Sequence, residues 1–308
     1  MKIYTITLNP AYDIHAYAEH FAPYHENLAN VTSRDAGGKG VNLSRALTSG
    51  GVKNTAVVVL GRENAAEFKE SLAEFGQDCL YFERSGRIRE YLTLHCGDSP
   101  ETRISFSGFA ADDSILDEIL DAVEVDSDTI VTFTGRVSGG ISIAAVKRFL
   151  WKLRGKGAKI VIDSKSFSLA DLYEVRPWLI KPNQEEVSEY FGRQVDTLEQ
   201  AAMAAKEFAS HGIVNAMVSL GHQGALLASG ADILVANAPE VTVRSTVGAG
   251  DSSIAGFLVA ASLGGAAGEC LKNAVAYGSA ACMSEGSQPP ERENIERLLP
   301  LIHIQRIH

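Results

Sequence analysis

Asp251 sits in the stretch Ser245-Thr246-Val247-Gly248-Ala249-Gly250-Asp251-Ser252-Ser253-Ile254-Ala255-Gly256-Phe257. Gly248 and Gly250 allow backbone conformations closed to other residues. After them Ile254, Phe257, Leu258 and Ala261 follow helical spacing. The stretch therefore reads as a tight glycine turn that feeds a helix N-terminus. Unpaired N–H groups and a partial positive charge at that end favour an anion such as a phosphate. A carboxylate in the first turn would stand where a phosphate acceptor is held, and the same position also suits a helix cap. A β-like run, Val241-Thr242-Val243-Arg244, leads into the turn.

A second glycine motif, Asp35-Ala36-Gly37-Gly38-Lys39-Gly40-Val41-Asn42, lies near the N-terminus. Gly37 and Gly38 let a ligand approach the backbone, and a helix is expected from Lys39 to just before Gly50-Gly51. Lys39 and Asn42 share a face of its first turn. An ammonium and an amide there suit a phosphorylated, hydroxyl-rich ligand. Gly40 follows the lysine where a Walker A loop needs Ser or Thr. The first strand, ending at Leu8-Asn9-Pro10, feeds no G-x-G-x-x-G fingerprint, so a nicotinamide dehydrogenase is not indicated. Asp13 falls just past that strand, where open α/β sheets place ligand groups. At Lys181-Pro182-Asn183-Gln184-Glu185-Glu186 the proline ends a strand. Asn183 and Glu186 then form either a capping box or a route to a hydrated magnesium ion. Ser219-Leu220-Gly221-His222-Gln223-Gly224 is a hairpin turn or a nucleotide contact.

These motifs need an alternating scaffold. Strands are expected at 1–8, 55–60, 129–134, 159–163, 178–181, 216–220 and 225–228. Helices are expected at 65–75, 114–122, 141–154, 184–191, 197–211, 251–263, 267–285 and 291–301, an α/β pattern. Two alternating stretches, 90–96 and 102–106, meet at the turn Gly97-Asp98-Ser99-Pro100 as a hairpin. The chain has 308 residues, 45% of them hydrophobic, enough for a full core. Its net charge of −10 argues against a general nucleic-acid or anionic-membrane surface. No apolar run spans a bilayer, and the N-terminus reads as a strand rather than a signal peptide. The four scattered cysteines form no zinc pattern, and a cytoplasmic location with reduced thiols is expected.

Taken together, the motifs resemble the ribokinase-like, or PfkB, carbohydrate kinases. Gly37-Gly38-Lys39-Gly40-Val41-Asn42 and Ser245-Thr246-Val247-Gly248-Ala249-Gly250-Asp251-Ser252 are similar to its two signatures. Thr7-Leu8-Asn9-Pro10-Ala11-Tyr12-Asp13, Lys181-Pro182-Asn183-Gln184-Glu185-Glu186 and Val275-Ala276-Tyr277-Gly278-Ser279-Ala280-Ala281 are similar to its phosphosugar branch, which holds 1-phosphofructokinases and tagatose-6-phosphate kinases. The likeness covers essentially the whole chain.

The resemblance implies a three-layer α/β/α ribokinase-like fold. Residues 1–13, 35–87 and 108–308 would form the main domain, and 14–34 with 88–107 a small β-sheet lid. It implies ATP and Mg2+, and transfer of a phosphoryl group to a primary hydroxyl of a ketohexose phosphate. Fructose 1-phosphate is expected, with tagatose 6-phosphate and another family sugar as alternatives; a non-catalytic phosphosugar sensor is the rival in another class. Asp251 would be the base, with Gly248, Ala249 and Gly250 as the anion hole. Asp13, Gly37, Gly38 and Asn42 would hold the sugar, and Lys39, Arg89 and Arg103 its phosphate. Lys181, Asn183, Ser219, Gly221, Gly224, Thr246 and Asn273 would line the ATP site, with Asn183 and Glu186 placing magnesium. The sequence departs from the branch at Gly135-Arg136-Val137-Ser138, where Arg136 replaces a serine that contacts the substrate phosphate. It departs again at Ile88-Arg89-Glu90-Tyr91. Tyr17, Phe21, Tyr24, Tyr91, Leu92, Leu94 and Phe106 give the lid an apolar surface, expected to close a two-fold dimer.

Overall fold

The Val- and Ile-rich runs become the middle of a ten-stranded sheet in a computed structural model, which describes residues 1–97 and 99–307. The chain begins with β1 (Lys2–Thr7), β2 (Ala11–Ala18), β3 (Asn30–Gly37), α1 (Lys39–Ser49), β4 (Thr55–Gly61), α2 (Ala65–Glu74) and β5 (Cys79–Arg84). It continues through β6 (Arg89–Cys96), β7 (Ser99–Ser105), α3 (Ser114–Ala122), β8 (Thr129–Thr134), α4 (Ile143–Gly155), β9 (Lys159–Asp163), α5 (Leu169–Val175) and β10 (Leu179–Ile180). Then follow α6 (Gln184–Phe191), α7 (Leu198–Ser210), β11 (Asn215–Ser219), β12 (Ala225–Ser229) and β13 (Asp232–Ala236). The last elements are α8 (Ala249–Ser262), α9 (Ala267–Ala281), α10 (Arg292–Leu298) and β14 (Ile304–Ile307).

The large sheet runs β14-β13-β12-β11-β10-β9-β8-β1-β4-β5. Its pairs from β5 to β11 are parallel, and β11 to β14 form an antiparallel meander. Strand alternation divides the side chains between two helical layers. Ile6, Val131, Phe133, Ile160 and Ile162 pack with α3 to α7. Ile3, Ile130, Val161 and Leu179 face α1, α8, α9 and α10, while Val58 and Leu60 meet α2. This is the three-layer α/β/α fold expected from the sequence. No helix is long and apolar enough to cross a membrane among the described residues.

A second sheet has the order β3-β2-β6-β7. Its strands reach past the expected limits of the small region: β2 starts at Ala11 and β3 ends at Gly37, so both enter the ligand motifs. Asp13 is therefore a strand residue, paired with Asp35 and Tyr91. β6 and β7 pair antiparallel as the hairpin required, although Asp98 lies outside the described residues. Ile14, Leu92 and Ile104 are neighbours in the register and share one face. Of the expected surface residues, Tyr17, Phe21, Tyr24 and Phe106 are exposed, whereas Leu94 is buried with Ala16, Ala18 and Cys96.

Four elements are not evident from the sequence: β5, α5, β13 and β14. The run Val241–Arg244 is not a strand, because β13 pairs with β14 instead. The helix expected at 291–301 ends at Leu298 and continues as one 3-10 turn.

Candidate active site

α8 begins as the glycine pattern demands. Gly248 is its N-terminal boundary at φ 76, and no side chain caps the helix. Asp251 is buried in the first turn, and its Oδ2 accepts from Asn42 Nδ2 at 3.3 Å. The carboxylate is thus turned toward α1 and away from its own helix. Burial pushes its pKa up to about 7; the two ammonium groups of Lys39 and Lys181 and the Asn42 bond work the other way, while Asp163 adds to the rise.

Asp163, at the end of β9, is the residue that sequence reasoning missed. Lys39 Nζ lies 2.9 Å from its Oδ2. Burial disfavours the Lys39 ammonium, but Asp163 and Asp251 outweigh it and hold its pKa above the ordinary lysine value. Burial likewise opposes the Asp163 charge, yet Lys181 and Lys39 hold that carboxyl below the usual range. A Cβ at Gly250 would lie 3.0 Å from Lys181 Nζ, so the glycine leaves room for the lysine. A carboxylate closing a buried apolar strand, Lys159-Ile160-Val161-Ile162-Asp163, was the available signal.

Beside these groups lies a cleft of about 940 Å³, within the range of ligand pockets. Lys181, Asn183, Ser219, Gly221, Gly224, Thr246, Ala249 and Gly250 line it, with an apolar wall that includes Met217, Val241, Val243, Val275 and Cys282. Gly224 has φ +109, and any Cβ there would overlap the Ala236 carbonyl, so it shapes the turn between β11 and β12. Asn273 does not line the cleft: its amide donates to the Glu269 carbonyl at 2.9 Å, and α9 instead presents Ala274, Val275, Gly278 and Ser279, with Cys282 just after it.

Asn183 and Glu186 do form a capping box. Asn183 Oδ1 accepts from the Glu186 N–H at 2.8 Å, and Glu186 Oε2 accepts from the Asn183 N–H at 3.1 Å. Glu186 Oε1 is left outside the box, 3.8 Å from Lys165 Nζ. No group of three or more His, Cys, Asp or Glu side chains suited to a metal is found among the described residues. A magnesium ion that keeps its waters and rides on phosphates needs only one or two protein carboxylates, and Glu186 Oε1 fits that need.

On the opposite side are the small sheet's polar residues. A Cβ at Gly37 would overlap the Asp13 carboxylate, and Gly38 adopts φ +115 just before α1. Burial pushes Asp13 up to about 6; Arg89 opposes this and Asp35 adds to it. Arg89 donates to Ser105 Oγ at 3.2 Å, and its Nε is buried without a partner. Burial lowers its pKa, Asp13 raises it and Arg136 lowers it, so Arg89 feels both Asp13 and Arg136. Arg136 is exposed and follows Gly135 at φ +82. Of the three expected phosphate ligands, Lys39, Arg89 and Arg103, two are engaged by carboxylates within the chain. Lys39 is tied to Asp163, and Arg103 is exposed and bonded to Glu101 at 2.9 Å. Arg103 pairs with Thr93, four residues along β6 from Arg89, or about 13 Å at strand rise.

Comparison with known proteins gives a concordant result. The family model described as pfkB family carbohydrate kinase matches residues 6–294. The chain is 28% identical over 306 residues to 1-phosphofructokinase of Escherichia coli K12, covering 99% of this chain and 98% of the relative. It is 32% identical over 259 residues to 1-phosphofructokinase of Vibrio cholerae, covering 83% and 81%. Among solved structures, phosphofructokinase-2 of Escherichia coli in complex with substrates and products superposes with a TM-score of 0.92 at 25% identity, covering 98% and 99%. A buried carboxylate at a glycine-rich helix N-terminus, a large cleft beside it and a match across nearly the whole sequence lead to one conclusion: the chain belongs to the PfkB family of carbohydrate kinases.

Proposed function

We propose that this kinase transfers the γ-phosphoryl group of ATP to a primary hydroxyl of fructose 1-phosphate. The observation that carries the reading is Asp251: a buried carboxylate whose pKa is pushed up to about 7, beside the cleft and turned toward the Lys39–Asn42 face. A base with that pKa is matched to neutral pH. Asp251 would accept the acceptor's proton, while the N–H groups at Gly248, Ala249 and Gly250 would face the developing charge. Transfer of this kind passes through a loose transition state, so positioning and charge neutralisation supply most of the rate. The cleft that includes Lys181, Ser219, Gly221 and Thr246 would hold the nucleotide. A hydrated magnesium ion, held through Glu186, would supply further neutralisation on the phosphates. Lys39, fixed by Asp163, would stand beside the transferring group rather than at the sugar's existing phosphate. That phosphate would fall to Arg89, with Arg136 as a second, bidentate donor, and Asp13 would take sugar hydroxyls.

The small sheet would act as the lid over the acceptor. Its face carrying Ile14, Leu92 and Ile104, with Phe106 and Val31 exposed nearby, would pair with a second copy in a homodimer. Steady-state kinetics with ATP and a panel of free and phosphorylated ketoses tests the assignment. The expected result is the highest kcat/KM with fructose 1-phosphate. A higher value with tagatose 6-phosphate would move the assignment to that sugar, and a higher value with free fructose or ribose would overturn it.

A further inference from the structure

Lys165 has no part in the proposed reaction, yet it is the cation nearest the oxygen of Glu186 that the helix cap does not use. Its Nζ lies 3.8 Å from Glu186 Oε1, while Oε2 is committed to the Asn183 N–H at 3.1 Å. The Glu186 side chain is 12% exposed and that of Lys165 46%, so a nearly buried carboxylate oxygen meets a half-solvated ammonium. The loop holding the lysine is built rather than slack. Ser164 Oγ accepts from the Ser166 N–H at 3.2 Å, and Ser166 Oγ accepts from the Val137 N–H at 3.1 Å. Near Glu186, three carboxylates (Asp163, Glu186, Asp251) stand with three lysines (Lys39, Lys165, Lys181). Lys39 and Lys181 both act on Asp163 and Asp251. Lys165 also acts on Asp163, and is the member whose ion pair is with Glu186.

We infer that Lys165 is a placeholder: its ammonium neutralises Glu186 Oε1 before nucleotide binds and must yield that oxygen when a hydrated divalent cation arrives on the phosphates. Lys165 is then a positioning residue that makes the metal's entry depend on the phosphates that carry it. The inference rests on the proposed role of Glu186. Its physical basis is that a weak pair of this exposure is easily exchanged. A divalent ion offers the carboxylate twice the charge, with coordinated water as the hydrogen-bond donor.

The test measures ADP binding calorimetrically with and without Mg2+. The quantity read is the factor by which Mg2+ tightens ADP. In Lys165→Met this factor is expected to rise about two- to fivefold over wild type, the range for removing a competing exposed ion pair. In Glu186→Gln it falls, and in Lys165→Met/Glu186→Gln it equals that of Glu186→Gln alone. A merely structural lysine would weaken ADP equally with and without metal and leave the factor unchanged, which overturns the inference. A rise that persists in the double variant overturns it as well. If Glu186→Gln does not change the factor, the role of Glu186 fails and takes the inference with it, whereas a fall in Glu186→Gln without a rise in Lys165→Met overturns the placeholder alone.

Discussion

Asp251→Asn should make the ligand-free protein more stable while removing its activity. In the folded state the carboxyl titrates at about 7 against an ordinary value of 3.8. The difference of about 3 units corresponds to roughly 4 kcal/mol of destabilisation by the ionised form. Asparagine keeps the size and the neighbour Asn42 but carries no charge. The pKa of about 7 already contains the attraction of Lys39 and Lys181, so their loss of a counter-charge is not a separate cost, and Lys39 stays paired with Asp163. The net is about 4 kcal/mol, a Tm increase of roughly 6–8 °C for a chain of this size. The pH dependence carries the sign. A folded pKa above the unfolded one favours the wild type at low pH, and that advantage is lost as pH rises through about 7. The gap between variant and wild type should therefore be greatest at pH 8 and fall to less than half by pH 5. Differential scanning calorimetry of both proteins at the two pH values measures it, and a coupled assay should show turnover reduced by about 10²–10⁴. Equal melting temperatures at pH 8, or a gap that does not move with pH, would refute the buried-charge reasoning. Retained activity would refute the assignment of the base.

The acid limb of kcat/KM for the sugar should reflect two groups, since Asp251 and Asp13 are pushed up to about 7 and about 6; a profile flat from pH 8 to 5 would exclude both from the reaction. Arg89→Ala should raise KM for the phosphosugar at least tenfold, while Arg103→Ala, already bonded to Glu101, should change it less than threefold if each site is completed within one chain; equal effects would place Arg103 at a site shared between copies. Ile104→Lys should halve the mass seen by light scattering, because it sets a charge on the face shared with Ile14 and Leu92; an unchanged mass, or a monomeric wild type, would remove that face as an interface.

The parts legible in the sequence were those whose cause is local. Gly248 and Gly38 sit at positive φ at the starts of α8 and α1, and a glycine run before a helical period announces that geometry. The buried parallel strands announced themselves as apolar runs, and Asn183 with Glu186 as a capping spacing. What escaped depends on distant partners. Asp163 becomes part of the site only because α1 brings Lys39 to the end of β9. Arg103 looked equivalent to Arg89 until the register placed it four residues further along the sheet. Asn273 shares a helix with residues that line the cleft, but its side chain turns back to Glu269. β14 pairs with β13 across nearly seventy residues of chain, and no window on the sequence spans that distance.

α8 and α9 approach each other closely at two glycines. A Cβ on Gly256 would overlap the Asn273 carbonyl, and one on Gly278 would overlap Ser253 Oγ. Helices packed this closely cannot slide or tilt independently, since close-packed interiors transmit displacement instead of absorbing it. α9 carries Ala274, Val275 and Gly278 on the wall of the cleft, and α8 carries Asp251. The surface that would receive the nucleotide and the carboxylate that would receive the proton are consequently one rigid piece. An inhibitor that pushes α9 outward would carry Asp251 with it, and so would disable the proposed chemistry without reaching that carboxylate at all.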